Sequence, residues 1–335
     1  MSASPFLNEA LLPGHGSIHL ALLPPNTPRL RTVKYQYPLK LVSPAPIRIE
    51  AEAEHLVHTV YLLTYGGGLV AGDCIDLKIV LDPSTRLILL TQGSTKLFKS
   101  PSRDVVSRQQ TTVTLAPGSA LCYLPDPVQP FENSSFAQEQ VYNVTLRDTS
   151  RVDCASLCVL DWVSNGRPAN GENWSFHRYG SRNEIYMYLP DGSRKLLLRD
   201  NMSLDEKFTA GSIANRMEGF AIYGTLILFG PLFTHLGQFF MKEFKLQPRI
   251  GGKKWDSGSD SGDENLDLHV VRRVKRQRRE TATGLLWSAA SVRECVLVKF
   301  GAPTLEAARN WLHTMLSDEG SVSTHFGERA LLCLR

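Results

Sequence analysis

Few residues in this sequence are spaced for chemistry. Asp73 directly follows a glycine, at the end of Gly66-Gly67-Gly68-Leu69-Val70-Ala71-Gly72. A carboxylate there either caps a backbone amide or faces a cavity. Asp76 lies three residues on, so along a strand the two carboxylates point to opposite faces and form no acid pair. His15 with His19, and His55 with His58, offer imidazoles of the kind that nickel, zinc and copper accept. Spacings of three and four converge only on a helix, and neither pair has a helical pattern around it; Cys154 and Cys158 share the difficulty. No Cys-x2-Cys pair with a matching second half occurs, and no Gly-x-Ser-x-Gly elbow. The sequence therefore encodes neither a closed zinc site nor a hydrolase nucleophile of those types.

The glycine run does not make a phosphate loop. Gly66, Gly68 and Gly72 miss the dinucleotide spacing by one residue, and a strand pattern follows them where a helix N-terminus would be needed. Gly93-Ser94-Thr95-Lys96 has the letters of a nucleotide-binding loop in the wrong order. The glycines are read instead as a close turn that needs positive φ.

The elements that would position these residues are mostly strands. After the glycines come an apolar run, Leu77 to Leu81, a tight turn at Asp82-Pro83-Ser84-Thr85, and a second run, Leu87 to Leu90. His55 to Leu63 reads as a strand entering the glycines. Thr111, Val113 and Leu115 share one face, as do Ile185, Met187 and Leu189, the period of a half-buried strand. Pro117-Gly118, Asn165-Gly166 and Asp191-Gly192 mark turns between runs. Residues 1–50 are proline-rich and are expected to form short extended pieces at sheet edges. Two windows read as helix. In Pro231–Phe244, Leu232, Leu236, Phe239, Phe240 and Phe244 share a face. In Thr304–Leu316, Thr304 is the N-cap, and Leu305, Ala308, Leu312 and Met315 form the stripe, widened by Trp311 and Leu316. The expectation is a single mainly-β domain over residues 1–335.

Charge narrows the function classes. A net charge of +4 on 335 residues does not point to a nucleic-acid or membrane partner. The N-terminus lacks a basic region before an apolar core, and Leu20–Leu23 runs into Pro24-Pro25. The longest apolar stretch, Gly219 to Phe233, is broken by Gly224, Gly230 and Pro231 and falls short of the roughly 20 residues that span a bilayer. A soluble, intracellular protein with six free thiols is expected. Residues 251–284 differ from the rest. Asp256, Asp260, Asp263, Glu264 and Asp267 precede Arg272, Arg273, Lys275, Arg276, Arg278 and Arg279. That composition is expected to leave the segment a disordered insertion. Its basic run, 272–279, could serve a nucleic-acid-binding module, although no aromatic interleaving surrounds it.

The motifs carry more than the composition. Gly66-Gly67-Gly68-Leu69-Val70-Ala71-Gly72-Asp73 followed by Leu90-Thr91-Gln92-Gly93-Ser94-Thr95-Lys96-Leu97-Phe98 resembles the UreD family of urease accessory proteins, called UreH in some bacteria, in a fungal-type eukaryotic form. Leu124-Pro125-Asp126-Pro127-Val128 with Pro130-Phe131 is similar to the family's Leu-Pro-(Glu/Asp)-Pro segment. Gly166-Arg167-Pro168-Ala169-Asn170-Gly171-Glu172 is similar to its Gly-Arg-x-x-x-Gly-Glu segment, and Tyr37-Pro38-Leu39-Lys40 to its early strand. Leu90 and Ser94 depart from the family's usual threonine and alanine.

The resemblance implies a layered, β-helix-like or sandwich-like fold with two helices near the C-terminus, and a cytoplasmic protein that is not an enzyme. It implies a nickel-transfer chaperone that binds apo-urease and a UreF-type protein, which recruits a UreG-type GTPase. No cofactor is permanently bound, nickel being in transit, and neither nucleic acid nor membrane is a partner. Such a path needs shallow polar contacts, since a tight Cys/His site would retain the metal. Asp73, Gln92 and Glu172 become the candidate nickel contacts. Gly66, Gly67, Gly68, Gly72, Lys96, Pro125, Gly166, Arg167 and Gly171 become the motif's structural positions. A β-helical carbohydrate-active enzyme is the competing class, on fold analogy alone.

Overall fold

The computed structural model describes residues 12–50, 54–147, 153–207, 211–247 and 268–335. The chain winds as a stack of coils, laying one strand in a first sheet and the next in a second. The first, seven-stranded sheet runs in the order β16 (Arg194–Asp205), β15 (Arg178–Tyr188), β13 (Ser135–Thr145), β10 (Ser107–Leu115), β7 (Cys74–Leu81), β1 (His15–Leu23) and β2 (Thr27–Tyr35). Its inner five strands are mutually parallel, and its two edges are antiparallel.

The second sheet runs β18 (Leu286–Val292), β19 (Cys295–Ala302), β17 (Ile222–Phe229), β14 (Ser156–Ser164), β11 (Ala120–Tyr123), β8 (Arg86–Leu90), β5 (Glu54–Thr64) and β3 (Leu39–Val42), with β4 (Ile47–Glu50) also on β5. Here β5, β8, β11 and β14 are parallel. At one corner β6 (Gly68–Leu69), β9 (Thr95–Leu97) and β12 (Val128–Pro130) stack parallel as a third, narrow face. The mainly-β, β-helix-like expectation holds.

Burial explains why some strands alternate and others are uniformly apolar. In β7, Ile75, Leu77, Ile79 and Leu81 point into the space between the sheets while their neighbours face outward. In β8, Leu87 and Leu89 join that inner core, and Ile88 and Leu90 join a second core on the sheet's other side. A strand covered on both faces loses its period of two.

Helices α1 (Ile213–Arg216), α2 (Thr234–Lys245), α3 (Leu268–Thr283), α4 (Leu305–Glu319) and α5 (Ser321–Phe326) complete the chain. Of these, α2, α4 and α5 bury residues in the second core, with Phe240, Trp311, Leu312 and Phe326 at its centre. The α4 expectation holds in detail. The Thr304 hydroxyl accepts from the Ala307 amide at 3.1 Å, and Gly320, at φ 91°, ends the helix. For α2 the proline lies one turn early, in a 3₁₀ turn over Pro231–Phe233.

Three expectations change. The proline-rich start is not confined to edges: β1 is nine residues long and is paired on both sides, by β2 and β7. Among the described residues its prolines fall between strands, except Pro28, which lies in the edge strand β2, where a missing donor is tolerated. Two strand-like runs joined by a tight turn suggest a hairpin, but 77–81 and 87–90 do not pair with each other. The turn between them is a corner that sends β7 and β8 into different sheets, so the geometry is that of a coil and not of a hairpin.

Third, the expected disordered insertion 251–284 is helical from Leu268 to Thr283; residues 251–267 lie outside the described residues. Two of the cations there, Arg273 and Arg276, are paired with Glu243 of α2. Arg273 donates to both Glu243 carboxylate oxygens at 2.8 Å, Arg276 donates to the same carboxylate, and the Trp311 indole donates to Glu280 at 2.8 Å. A segment that reads as solvated in isolation acquires partners about thirty positions away.

Burial alone would raise the Glu243 pKa, but hydrogen bonds from Arg273 and Arg276 outweigh it and hold the carboxyl below its ordinary range. A depressed carboxylate stabilises the fold above its unfolded pKa and loses that contribution as pH falls through the folded value. Glu243→Ala is expected to cost about 3–5 kcal/mol, because it strands buried guanidinium charge. Urea unfolding at neutral pH measures this, and limited proteolysis should then cut within α3. An unfolding curve matching the wild type would show that α3 is held by other contacts.

Candidate functional site

The inner core of a coiled β-stack is apolar by default, and one stripe of this core is not. In β14, Leu157, Val159 and Val163 face inward, and Asp161 stands in the same row with 3% of its surface exposed. Across the gap the first sheet presents aligned polar rows. Gln109 pairs with Gln138, which pairs with Ser181; Thr111 pairs with Gln140, Gln140 with Asn183, and Asn183 with Asp200. On the second sheet Asp161 pairs with Thr225, and Thr225 with Lys299. The parallel stacking of coils thus lines up polar side chains along the stack.

Asp161 is the centre of this stripe. Its Oδ2 accepts from the Ser181 hydroxyl at 2.5 Å and from Asn183 Nδ2 at 2.6 Å, and its Oδ1 from Gln138 Nε2 at 3.3 Å. Gln138 Nε2 also donates to Ser181 Oγ at 3.1 Å, and Tyr142 donates to Gln140 Oε1 at 2.8 Å. Burial raises the Asp161 pKa, and the hydrogen bonds from Ser181 and Asn183 offset part of the rise. Asn183 Oδ1 is buried without a partner. An unpaired acceptor in a closed interior is costly.

Both ends of the stripe carry an ion pair. At one end Lys299 Nζ donates to Asp200 Oδ1 at 2.6 Å and reaches Thr225 at 3.4 Å. At the other, Asp126 accepts from Arg309 of α4 through Oδ1, and from the Gly93 amide at 2.8 Å and the Thr91 hydroxyl at 3.2 Å through Oδ2. The space inside, bounded by Thr91, Asp126, Gln109, Gln138, Gln140 and Asp161 among others, measures ≈ 20 Å³. That holds about one water, so the stripe is a closed polar seam and not an open tube. Thr91 and Asp126 also border an outer cavity of ≈ 610 Å³, shared with Gln92 and Cys333.

The three candidate contacts from the sequence do not converge. Gln92 is exposed and borders the outer cavity. Asp73 caps its turn: its Oδ2 accepts from the Val70 amide at 2.8 Å. Glu172 is buried and engaged by Arg167, which donates to both carboxylate oxygens, and by the Glu132 amide at 3.2 Å. Hydrogen bonding to Arg167 holds the Glu172 carboxyl below its ordinary range. Arg167 itself lies over the Phe131 ring, 3.7 Å from its centroid. Neither Asp73 nor Glu172 borders the seam or the outer cavity.

The motif's structural positions have local reasons. Gly66, Gly67 and Gly72 all take positive φ. A Cβ on Gly68 would lie 2.4 Å from the Lys96 carbonyl, because β6 stacks directly on β9. Lys96 stands exposed in β9. The Pro125 carbonyl accepts from Trp162 at 2.8 Å. A Cβ on Gly166 would meet the Pro130 carbonyl at 2.7 Å, and Gly171 ends a 3₁₀ turn in the left-handed region.

The sequence reading missed Asp161, Gln138, Gln140 and Asn183. One signal was present: Asp161 is the lone charge inside the apolar run Cys154–Val163, where an acid must find buried partners.

A sequence model of the family described as "UreD urease accessory protein" matches residues 14–326. The chain belongs to the UreD family. It is 31% identical to the "Uncharacterized urease accessory protein ureD-like" of Schizosaccharomyces pombe, over 88% of this chain and 91% of that one. It is 30% identical to "Urease accessory protein 4" of Cryptococcus neoformans, over 95% and 94% of the two chains. The "Urease accessory protein D" of Arabidopsis thaliana is 34% identical over 58% of this chain and 61% of that one. Among the described residues of this UreD-family chain, no helix is long and apolar enough to cross a membrane.

The raised Asp161 pKa has a testable sign. An acid whose folded pKa is raised stabilises the protein below its unfolded pKa and loses that contribution as pH climbs through the folded value. Asp161→Asn removes this dependence. The difference in unfolding free energy between wild type and Asp161→Asn should therefore shift in the variant's favour as pH rises above the ordinary carboxylate value of 3.8. Urea titrations at several pH values measure it, and a constant difference would show that the carboxyl titrates normally.

Proposed function

We propose that this chain is a non-enzymatic urease accessory scaffold that passes nickel toward apo-urease along its buried polar seam. The observation that supports this most directly is the stripe of inward carboxylate, amide and hydroxyl groups aligned through an otherwise apolar core. Oxygen donors of this kind hold nickel weakly compared with thiolate or imidazole sets. Shallow sites in series let an ion both enter and leave. Nickel is cargo in this reading, and the chain keeps no cofactor. With room for about one water, the seam would move an ion by exchange between neighbouring side chains such as Asp161, Gln140 and Asn183.

The expected partners are apo-urease and a UreF-type protein that brings a UreG-type GTPase. The helix-covered side suits a helical partner, since α3 exposes Val270, Val271 and Val274. The work would be done in the cytoplasm. Gln92 keeps a role at the outer cavity, whereas Asp73 and Glu172 act through the shape of the motif. A nucleic-acid role for residues 272–279 loses support because Glu243 takes up Arg273 and Arg276. A carbohydrate-active enzyme would need an acid open to a polymer, and Asp161 is closed off.

The reading is tested in cells that express urease, its accessory proteins and either wild-type chain or Asp161→Asn. Folding of the variant is checked by its unfolding midpoint. Nickel per urease active site and urease activity should both fall at least about tenfold, the equivalent of ~1.4 kcal/mol. Full loading of urease by a folded Asp161→Asn chain would remove the seam from the path.

A further inference from the structure

The pair of Arg309 and Asp126 is made differently from the other ion pairs of the inner core. Asp126 sits in the Leu124–Pro127 segment, and one of its carboxylate oxygens is fixed by the Gly93 amide and the Thr91 hydroxyl. Its own amide donates to Thr91 Oγ1 at 2.7 Å. The carboxylate therefore cannot swing away. Its other oxygen is held by Arg309, which reaches in from α4. Arg309 is the looser partner: its side chain is 28% exposed, and its Nε is buried without a hydrogen-bond partner. A guanidinium held through one end, with another donor unsatisfied, can leave at lower cost than one gripped at both ends.

The outer cavity beside Asp126 is lined by ligand types a borderline metal takes. Cys333, from the C-terminal 3₁₀ turn Glu328–Leu334, places its thiol 3.4 Å from the Thr91 carbonyl. Thr91 thus contacts Asp126 through its hydroxyl and Cys333 through its carbonyl, so carboxylate, thiol, hydroxyl and carbonyl line one cavity. Among the described residues, Asp126 is the charged group that borders both this outer cavity and the closed seam together with Thr91. Burial pushes the Cys333 thiol up to about 12, with the Asp126 charge adding to the rise.

We propose that Asp126, Cys333 and Thr91 form an admission site for a divalent borderline cation, kept closed by the guanidinium of Arg309. This rests on the reading of the seam as a nickel path. On binding, the metal takes the Asp126 oxygen that Arg309 vacates, and the Cys333 thiol becomes a thiolate as its proton passes to solvent. No electron moves. Two anionic ligands then face a doubly charged ion, and the thiolate favours nickel over magnesium or calcium. Arg309 fills the site between ions, so the buried carboxylate is never left unpaired. Because Arg309 lies on α4, a partner that docks on the helix layer and draws its side chain outward would open the site.

The test uses the purified full-length chain and nickel(II) chloride, with binding followed by calorimetry and by the near-ultraviolet charge-transfer absorption of a nickel–thiolate bond. Arg309→Gln should bind nickel at least about fivefold more tightly than wild type, a modest gain for removing one half-buried competing ion pair. It should also show the thiolate absorption. Arg309→Gln combined with Cys333→Ser should lose the absorption, and combined with Asp126→Asn should lose most of the affinity. Magnesium chloride should not compete. Arg309→Lys, which keeps the charge without the planar fork, should fall between wild type and Arg309→Gln, and it carries the test if the glutamine variant does not fold.

Wild-type affinity in Arg309→Gln, or tight binding that survives the loss of Cys333 and Asp126, would overturn the admission site. That result would leave the seam untouched, because the seam is judged separately by urease loading with Asp161→Asn.

Discussion

The buried carboxylate of Asp161 has to find its hydrogen bonds inside the coil, and much of the inner architecture is arranged around that demand. An ionised or even a neutral acid in an apolar interior is expensive unless its oxygens are engaged. Ser181, Asn183 and Gln138 meet it, and they come from two strands of the opposite sheet. They can do so only because parallel stacking holds the strands in register, coil on coil. A one-residue slip in β13 or β15 would turn those side chains outward and bring their charged or exposed neighbours in. The polar seam and the regularity of the stack therefore depend on each other.

The apolar shell around the seam divides the labour. Leu157, Val159, Ile185 and Met187 exclude water and fix the sheet spacing, while the polar row is confined to a strip a few residues wide. Helices on the second sheet leave β8, β11 and β14 buried on both faces. The first sheet keeps an outward face of charged and polar side chains, such as the exposed pair of Arg182 and Glu139. Surface pairs of that sort contribute little stability, which leaves the two cores to hold the structure.

How much of this was legible in the sequence depends on the range of the interaction. The period of β10 and β15, the Thr304 cap and the stripe of α4 are local, and they appear where the pattern puts them. Arg167 and Glu172 lie five residues apart and are bonded to each other, so that motif was readable as a unit. The seam was not. Asp161 meets partners 20, 22 and 23 positions away, a spacing set by the length of a coil, which no short motif encodes. Helix α3 was misjudged for a related reason. Its charge pattern signals disorder only when taken without Glu243, which lies on a different helix. Asp73 shows the opposite case: its position after a glycine allowed a cap or a cavity, and the local backbone decided for the cap.

The distance along the chain between Asp126 and Arg309 has a consequence for assembly in time. Successive coils can be laid down as the chain leaves the ribosome, each on the one before. Asp126 belongs to that early layer, but Arg309 follows 183 residues later, and Cys333 later still. Until those residues are made, the carboxylate has only Thr91 and Gly93 as partners, and both the outer cavity and its guanidinium cover are completed only by the C-terminal helical layer. A nascent chain would thus pass through an interval in which its acidic mouth stands open to whatever cations the surrounding fluid contains.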